Sequence, residues 1–190
     1  MQTAYNARKK IDPKYPVIFL DIDGVLQPPM DQERFDHDLG ALQVELAEKF
    51  NNDVYLDYDE YDLGAIYYDW DLGAVERLRK LCDDLHAQIV VSSDWRLWKT
   101  MGMLRDYFHL HGLDCYIYDK TTTVEKLRFK RADAIREYLD RHPDINRFII
   151  IDDGYSYELK KMFPDNFVHT ASHFQEEDDI KARKILSEGS

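Results

Sequence analysis

Three short apolar runs in this sequence each stop abruptly at polar residues, and this pattern constrains the fold more than any other feature. The runs and the residues that end them are "VIFL" (17–20) before Asp21 and Asp23, "QIVVSS" (88–93) with Ser92 and Ser93, and "RFIII" (147–151) before Asp152 and Asp153. Continuous apolar runs of this kind are typical of strands that are buried on both faces of a parallel sheet. Because an unpaired buried charge is costly, we expect the aspartates to lie where the strands leave the core.

Strands and helices alternate along the chain. The predicted strands are 17–20, 88–93, 115–118, 147–151 and 167–170, and the predicted helices are about 31–50, 71–85, 101–113, 129–141, 157–163 and 176–187. This alternation predicts an α/β fold with a mostly parallel central sheet flanked by helices. Ligands of such sheets bind beyond the carboxyl ends of the strands, which is where the aspartates and serines fall. Residues 51–70 are acidic and rich in tyrosine, and they show no clean period.

The length of 190 residues favours one domain, 1–190, with a sizeable core. No run of roughly 18 apolar residues occurs, so we expect no membrane span. The N-terminus lacks the apolar segment of a signal peptide, so we expect a cytoplasmic protein, with delivery into a host cell left open. The two cysteines, Cys82 and Cys115, fit a reducing compartment and provide neither a disulfide framework nor a zinc cluster.

The charge balance is acidic, with 25 basic against 37 acidic residues and a net charge of −12. Such a surface should repel bulk nucleic acid, because phosphate binding relies on clustered lysine and arginine. A small basic pocket remains compatible with this balance. The sequence leaves the oligomeric state open.

Carboxylates that converge from separate strands repel one another unless a cation lies between them. An oxygen-rich site of this kind suits Mg²⁺, which often shares phosphate oxygens. A neighbouring serine would hydrogen-bond a phosphate, and a lysine or arginine would neutralise the remaining charge. These parts together indicate phosphoryl transfer, in which either aspartate of the first pair is a possible nucleophile. Arg96 would reach a second phosphate or a substrate carboxylate, although a helix start with Trp95 in the core explains this segment equally well.

Several segments resemble the motifs of one family. "FLDIDGVL", "IVVSS" and "IIIDDG" resemble, in this order, the first, second and fourth motifs of the haloacid dehalogenase-like (HAD) superfamily. More narrowly, "AQIVVSSDWR", "KTTT", "KRADAIREYL" and "FIIIDD" are similar to the small HAD domain of some RNA-repair proteins. The resemblance covers about residues 17–187. It implies a Rossmann-like core, 17–26 and 71–187, with a small cap or flap insert at 27–70.

The resemblance also implies roles for residues at the first two strand ends. Asp21 would be the nucleophile that becomes phosphorylated. Asp23 would be the general acid and then the general base, and its backbone carbonyl would contact Mg²⁺. Gly24 would allow the chain to turn away sharply. Ser92 would hold the phosphoryl group, with Ser93 as the alternative.

Two further roles follow from the resemblance. Asp152 and Asp153 would hold Mg²⁺, with Asp153 the expected direct ligand. The basic residue of the third motif would be Arg131, since the narrower family usually places an arginine at a helix start, with Lys130 and Lys126 as alternatives. Arginine in this position would clamp a phosphate with two donors, as lysine cannot.

The expected function is therefore that of a Mg²⁺-dependent phosphomonoester hydrolase with an aspartyl-phosphate intermediate. Asp23 favours hydrolysis over transfer because it would activate water. A small cap would leave the site open to a nucleic-acid end, a nucleotide or a phosphoprotein, including one with phosphotyrosine. The RNA-repair resemblance favours nucleic-acid ends, whereas the acidity opposes them. The alternative is a catalytically idle HAD-fold module that binds a partner through its insert, against which the intact Asp21 and Asp23 pair counts.

Overall fold

Five parallel strands form one sheet in the computed structural model of this protein, which describes residues 9–30 and 32–188. The strands are β1 (Val17–Leu20), β2 (Gln88–Val91), β3 (Ile117–Lys120), β4 (Phe148–Asp152) and β5 (Phe167–His169). Their order across the sheet is β3-β2-β1-β4-β5, and every neighbouring pair is parallel. Seven α-helices flank the sheet in the described part of the chain. The prediction of an α/β Rossmann-like fold is confirmed.

The helices follow the strands with short connections and 3₁₀ turns. They are α1 (Leu39–Phe50), α2 (Glu60–Asp69), α3 (Leu72–Leu85), α4 (Met101–His109), α5 (Arg131–Arg141), α6 (Ser156–Met162) and α7 (Glu176–Glu188). Among the described residues, no helix combines the length and the apolar character that a bilayer span requires.

The central position of β1 explains its uninterrupted apolar sequence. All four of its side chains are completely buried, because helices cover both faces of the sheet. Ile18 and Leu20 belong to the core on one face, whereas Val17 and Phe19 belong to the core on the other. On this second face, Phe19 packs edge-on against Tyr138 of α5, with 5.6 Å between the ring centroids.

The register of the sheet brings the polar strand ends together. Leu20, the last residue of β1, lies opposite Val91 of β2 and Ile151 of β4. The backbone continues this pairing beyond the strand, since the Asp21 amide donates to the Ile151 carbonyl at 3.0 Å. The Ser92 amide likewise donates to the Leu20 carbonyl at 2.9 Å. The residues after three central strands therefore leave the sheet side by side.

The first helix is shorter than its sequence pattern suggests. The periodic residues predict a helix over 31–50, but α1 begins at Leu39. Asp38 sets this start, because its side chain accepts a hydrogen bond from the Ala41 amide at 3.0 Å. Residues 33–36 form a separate 3₁₀ turn. Asp31 lies outside the described residues.

The sequence pattern did not predict α2, which lies within the tyrosine-rich stretch. Asp59 caps this helix through hydrogen bonds from the amides of Tyr61, at 2.9 Å, and Asp62, at 3.1 Å. Its buried residues include Gly64 and Ala65, so the apolar face is weak in sequence. Partly exposed tyrosines on the same helix make the helical spacing of its apolar residues still harder to recognise. The third strand is also displaced, from the predicted 115–118 to Ile117–Lys120.

The segment 27–70 contains α1 and α2 and packs against α4. The Tyr58 hydroxyl donates to the Asp106 carboxylate of α4 at 2.5 Å, and Phe50 contacts His109 with 4.8 Å between ring centroids. The segment is thus helical and anchored beside the carboxyl end of the sheet. Its division from the rest of the domain as a cap remains a prediction.

Candidate active site

Asp21 follows β1 directly and is buried, with 3% of its surface exposed. One carboxylate oxygen accepts a hydrogen bond from the amide of Ile22 at 2.8 Å, and the other accepts from the guanidinium of Arg131. These two contacts fix the orientation of the carboxylate at the carboxyl end of the central strand.

Arg131 is the cation of the site. It opens α5, is buried, and binds Asp21 and Asp152 through the same nitrogen, the latter contact measuring 2.5 Å. Its other terminal nitrogen lies 3.4 Å from a carboxylate oxygen of Asp94. Burial by itself lowers the pKa of Arg131, but the carboxylates of Asp21 and Asp152 raise it far above its usual value. The guanidinium is therefore permanently charged.

The structure distinguishes among the three residues that could be the basic residue of the third motif. Arg131 lies among the carboxylates, whereas Lys126 and Lys130 are exposed. Neither lysine forms an ion pair with any residue in the described part of the chain. This placement favours Arg131 for the role and leaves both lysines at the surface.

Three carboxylates form a cluster that suits a cation. Oxygens of Asp21, Asp152 and Asp153 all lie within 4.8 Å of one another. Burial and the charge of Asp21 raise the pKa of Asp152, and the same two causes raise the pKa of Asp153. An oxygen-only donor set with this mutual repulsion fits Mg²⁺. The side chain of Asp23 does not belong to this cluster.

Gly24 makes room for one of these carboxylates. Its φ of +70° lies in the left-handed region, and a β-carbon at this position would collide with the carboxylate of Asp153. The Thr170 hydroxyl donates to the Gly24 carbonyl at 2.7 Å and holds the turn in place. Glycine is therefore required here both for the turn and for the approach of Asp153.

Asp23 reaches solvent at the mouth of the site. One of its carboxylate oxygens accepts a hydrogen bond from the indole nitrogen of Trp95 at 3.0 Å. The surrounding protein still desolvates the carboxyl group, and this desolvation, together with the charge of Asp21, raises the pKa of Asp23. The Trp95 hydrogen bond acts in the opposite direction. A carboxyl group with a raised pKa is suited to proton donation near neutral pH.

The two serines differ in what their hydroxyls contact. Both residues are completely buried. The Ser93 hydroxyl accepts a hydrogen bond from the Trp95 amide at 3.4 Å and caps the 3₁₀ turn Asp94–Leu97. The Ser92 hydroxyl is buried without a hydrogen-bond partner among the described residues. An unpaired buried hydroxyl beside Asp21 favours Ser92 as the phosphate ligand.

Arg96 lies beneath the site, not at its mouth. Its side chain is completely buried. The guanidinium donates hydrogen bonds of 2.9–3.0 Å to four acceptors, namely the carbonyls of Ser92, Ser93 and Arg128 and the carboxylate of Asp94. This geometry does not support the predicted substrate contact. Arg96 instead joins the loop that follows β2 to the segment that precedes α5.

Sequence reasoning missed the contact between Trp95 and Asp23. Trp95 is supported from α4, since its ring lies 5.8 Å from that of Tyr107. Lys99 lies 5.9 Å from the same indole ring and forms an ion pair with Asp62 of α2. The position of Trp95, two residues after Ser93, was the available signal, but packing in the core explained it equally well.

Comparison with known protein families assigns this chain to a family. The model for the HAD domain in Swiss Army Knife RNA repair proteins matches residues 17–178. No curated protein and no solved structure matches the chain. The match spans most of the chain and includes every strand end described above, so it confirms the expected HAD resemblance and supports a HAD-type hydrolase in general terms.

Proposed function

Since the chain belongs to the family of HAD domains in Swiss Army Knife RNA repair proteins, we propose that it is a Mg²⁺-dependent phosphomonoester hydrolase with an aspartyl-phosphate intermediate. One observation carries this proposal. Three carboxylates from the ends of two adjacent strands lie together, and two of them pair with one buried arginine. At the end of the next strand, a buried serine hydroxyl has no partner among the described residues. Such a site is built to receive a cation and a phosphoryl group together.

In the first step, a carboxylate oxygen of Asp21 attacks the phosphorus, and the bond between phosphorus and the leaving oxygen breaks. Asp23 gives its proton to that oxygen, so the product leaves as an alcohol. Arg131 and the hydroxyl of Ser92 stabilise the charge on the phosphoryl oxygens. The carboxylates of Asp21 and Asp152 hold the guanidinium of Arg131 in place, so its positive charge lies beside the reacting groups.

In the second step, water hydrolyses the aspartyl phosphate. Asp23, now a carboxylate, takes a proton from the water as the water oxygen attacks the phosphorus. The bond between phosphorus and Asp21 breaks, which restores the Asp21 carboxylate and releases inorganic phosphate. Asp23 ends the cycle protonated, as it began.

Asp21, Asp152 and Asp153, with the backbone carbonyl of Asp23, would hold Mg²⁺. The bound ion would neutralise the carboxylate cluster and the incoming phosphate. Burial, and after it the charge of Asp21, raises the pKa of Asp152 and of Asp153, and a bound cation would favour their charged forms.

Release of phosphate from p-nitrophenyl phosphate tests the proposal. We expect turnover with Mg²⁺, no turnover after removal of the metal with a chelator, and no turnover by Asp21→Asn. Asp71→Asn is the matched control, because Asp71 caps α3 and asparagine caps a helix equally well. Activity that survives in Asp21→Asn, or a folded wild-type protein without activity on any phosphomonoester, would overturn the proposal.

A further inference from the structure

The acidity of the chain is concentrated in one segment. Residues 27–70 contain twelve acidic and two basic residues, within a chain of net charge −12. By contrast, residues 120–131, "KTTTVEKLRFKR", contain five basic residues and one acidic residue. The net charge of the whole chain therefore conceals a positive segment that leads directly to Arg131.

Two large aromatic side chains lie exposed on and beside this segment. Trp98 is 63% exposed and Phe129 is 60% exposed. The guanidinium carbon of Arg128 lies near both rings, 4.2 Å from the centroid of the Trp98 ring and 5.3 Å from that of Phe129. The two rings and the guanidinium thus form one continuous surface, which we call the Trp98–Phe129 surface.

The Trp98–Phe129 surface borders the candidate active site. Arg96 donates one hydrogen bond to the Arg128 carbonyl and others to the carbonyls of Ser92 and Ser93. Phe129 precedes Arg131 by two residues, and Arg131 contacts Asp21. The segments that carry the two exposed rings are therefore joined to the residues of the active site.

Two positive charges beside this surface have no ion-pair partner in the described part of the chain. Lys126 and Lys130 are exposed and form no ion pair with any residue between 9 and 30 or between 32 and 188. Arg128 has a charged neighbour, Glu125, at 3.6 Å, but the side chain of Glu125 is 87% exposed and so contributes a weak pair. Free cations beside exposed rings are suited to an extended polyanion that has flat groups.

We propose that the Trp98–Phe129 surface binds the single-stranded portion of a nucleic acid whose terminal phosphate enters the active site. Bases stack on Trp98 and Phe129, and Lys126 and Lys130 contact backbone phosphates. The inference rests on the proposed function and extends it to the substrate class. A phosphopeptide satisfies these features less well, because it offers neither regularly spaced charges nor a flat group at each residue.

Fluorescence anisotropy with a labelled, unphosphorylated single-stranded oligoribonucleotide tests the surface independently of catalysis. We expect Trp98→Ala and Phe129→Ala each to weaken binding roughly tenfold or more. Lys130→Ala should weaken binding and flatten its dependence on salt concentration. Circular dichroism and thermal unfolding establish that each variant is folded.

Two control variants match these changes. Phe35 is also 60% exposed and also lies beside an arginine, Arg34, at 5.1 Å, but it belongs to the acidic segment. Lys10 is an exposed lysine at the opposite end of the sheet. The nearby Asp12 amide donates to the side chain of Gln88, the first residue of β2, which places this segment near the amino ends of the strands. We expect Phe35→Ala and Lys10→Ala to bind the oligonucleotide as the wild type does.

The outcomes separate the surface from the catalytic proposal. Wild-type protein that hydrolyses p-nitrophenyl phosphate but does not bind the oligonucleotide would overturn the inference and leave the proposed function intact. Oligonucleotide binding that depends on Trp98, with no hydrolysis of any phosphomonoester, would support the surface and overturn the proposed function. Equal losses of oligonucleotide binding in Trp98→Ala and Phe35→Ala would also overturn the inference.

Discussion

The hydrogen bond from Trp95 to Asp23 gives a quantitative expectation for the pH dependence of catalysis. A hydrogen bond to a charged group contributes about 1.5–3 kcal/mol when buried, and solvent at Asp23 reduces this to about 1 kcal/mol. Because the indole stabilises the carboxylate, its loss in Trp95→Phe raises the pKa of Asp23 further. A loss of about 1 kcal/mol corresponds to roughly a fivefold decrease in the acid dissociation constant of Asp23.

The sign of the effect follows from the role of Asp23 as a proton donor. The first step requires protonated Asp23, so kcat/KM falls as the pH rises through the pKa of this group. In Trp95→Phe this decline should move to higher pH. The substrate should be phenyl phosphate, because p-nitrophenolate leaves without needing a proton and would hide the effect.

Trp70→Phe is the matched control for this experiment. The indole nitrogen of Trp70 is buried and has no hydrogen-bond partner among the described residues, so the substitution removes no such contact. We expect its pH profile to decline at the same pH as that of the wild type. A decline that stays in place in Trp95→Phe, or moves to lower pH, would refute the proton-donor role of Asp23 in this geometry.

Three further substitutions test the other parts of the site. Arg131→Ala leaves Asp21 and Asp152 unpaired in the core, so urea unfolding in magnesium-free buffer should show a free energy of unfolding that is lower by about 3 kcal/mol. This difference should shrink as the pH falls, because the carboxylates become protonated. An unchanged urea midpoint would contradict the expectation. Gly24→Ala should weaken Mg²⁺ binding in calorimetry at least tenfold by displacing Asp153, whereas Gly112→Ala, with a similar φ of +68° and open space around it, should leave the affinity unchanged. Ser92→Ala should lower kcat/KM about a hundredfold and Ser93→Ala much less; equal losses would remove the distinction between the two hydroxyls.

The central part of the fold was predictable because a simple physical rule governs it. Strands β1, β2 and β4 lie inside a sheet covered on both faces, so their sequences are continuous apolar runs that end where the chain meets solvent. The aspartates and serines at those ends were predictable for the same reason. The edge strand β3, with three partly exposed residues, has no such run, and its prediction was displaced by two residues.

What the sequence did not reveal depends on contacts between distant residues. Trp95 and Asp23 are 72 positions apart, and no local pattern indicates that an indole nitrogen points at that carboxylate. The choice among Lys126, Lys130 and Arg131 required the start of α5, which buries Arg131 and leaves both lysines at the surface. The contrast between the acidic segment 27–70 and the basic segment 120–131 is visible in the sequence. Its use in binding can be inferred only from the structure, which exposes the rings of Trp98 and Phe129.

The most direct test of the proposed chemistry is to trap the phosphorylated enzyme. Protein mixed with substrate and Mg²⁺ is quenched rapidly in acid, digested, and analysed by mass spectrometry. The substrate is p-nitrophenyl phosphate, whose leaving group needs no proton from Asp23. We expect one phosphoryl group on Asp21 that increases in Asp23→Asn, because water is then no longer activated, and that is absent from Asp21→Asn. Phosphate release without a phosphoryl group on Asp21, or a phosphoryl group on another residue, would contradict Asp21 as the nucleophile.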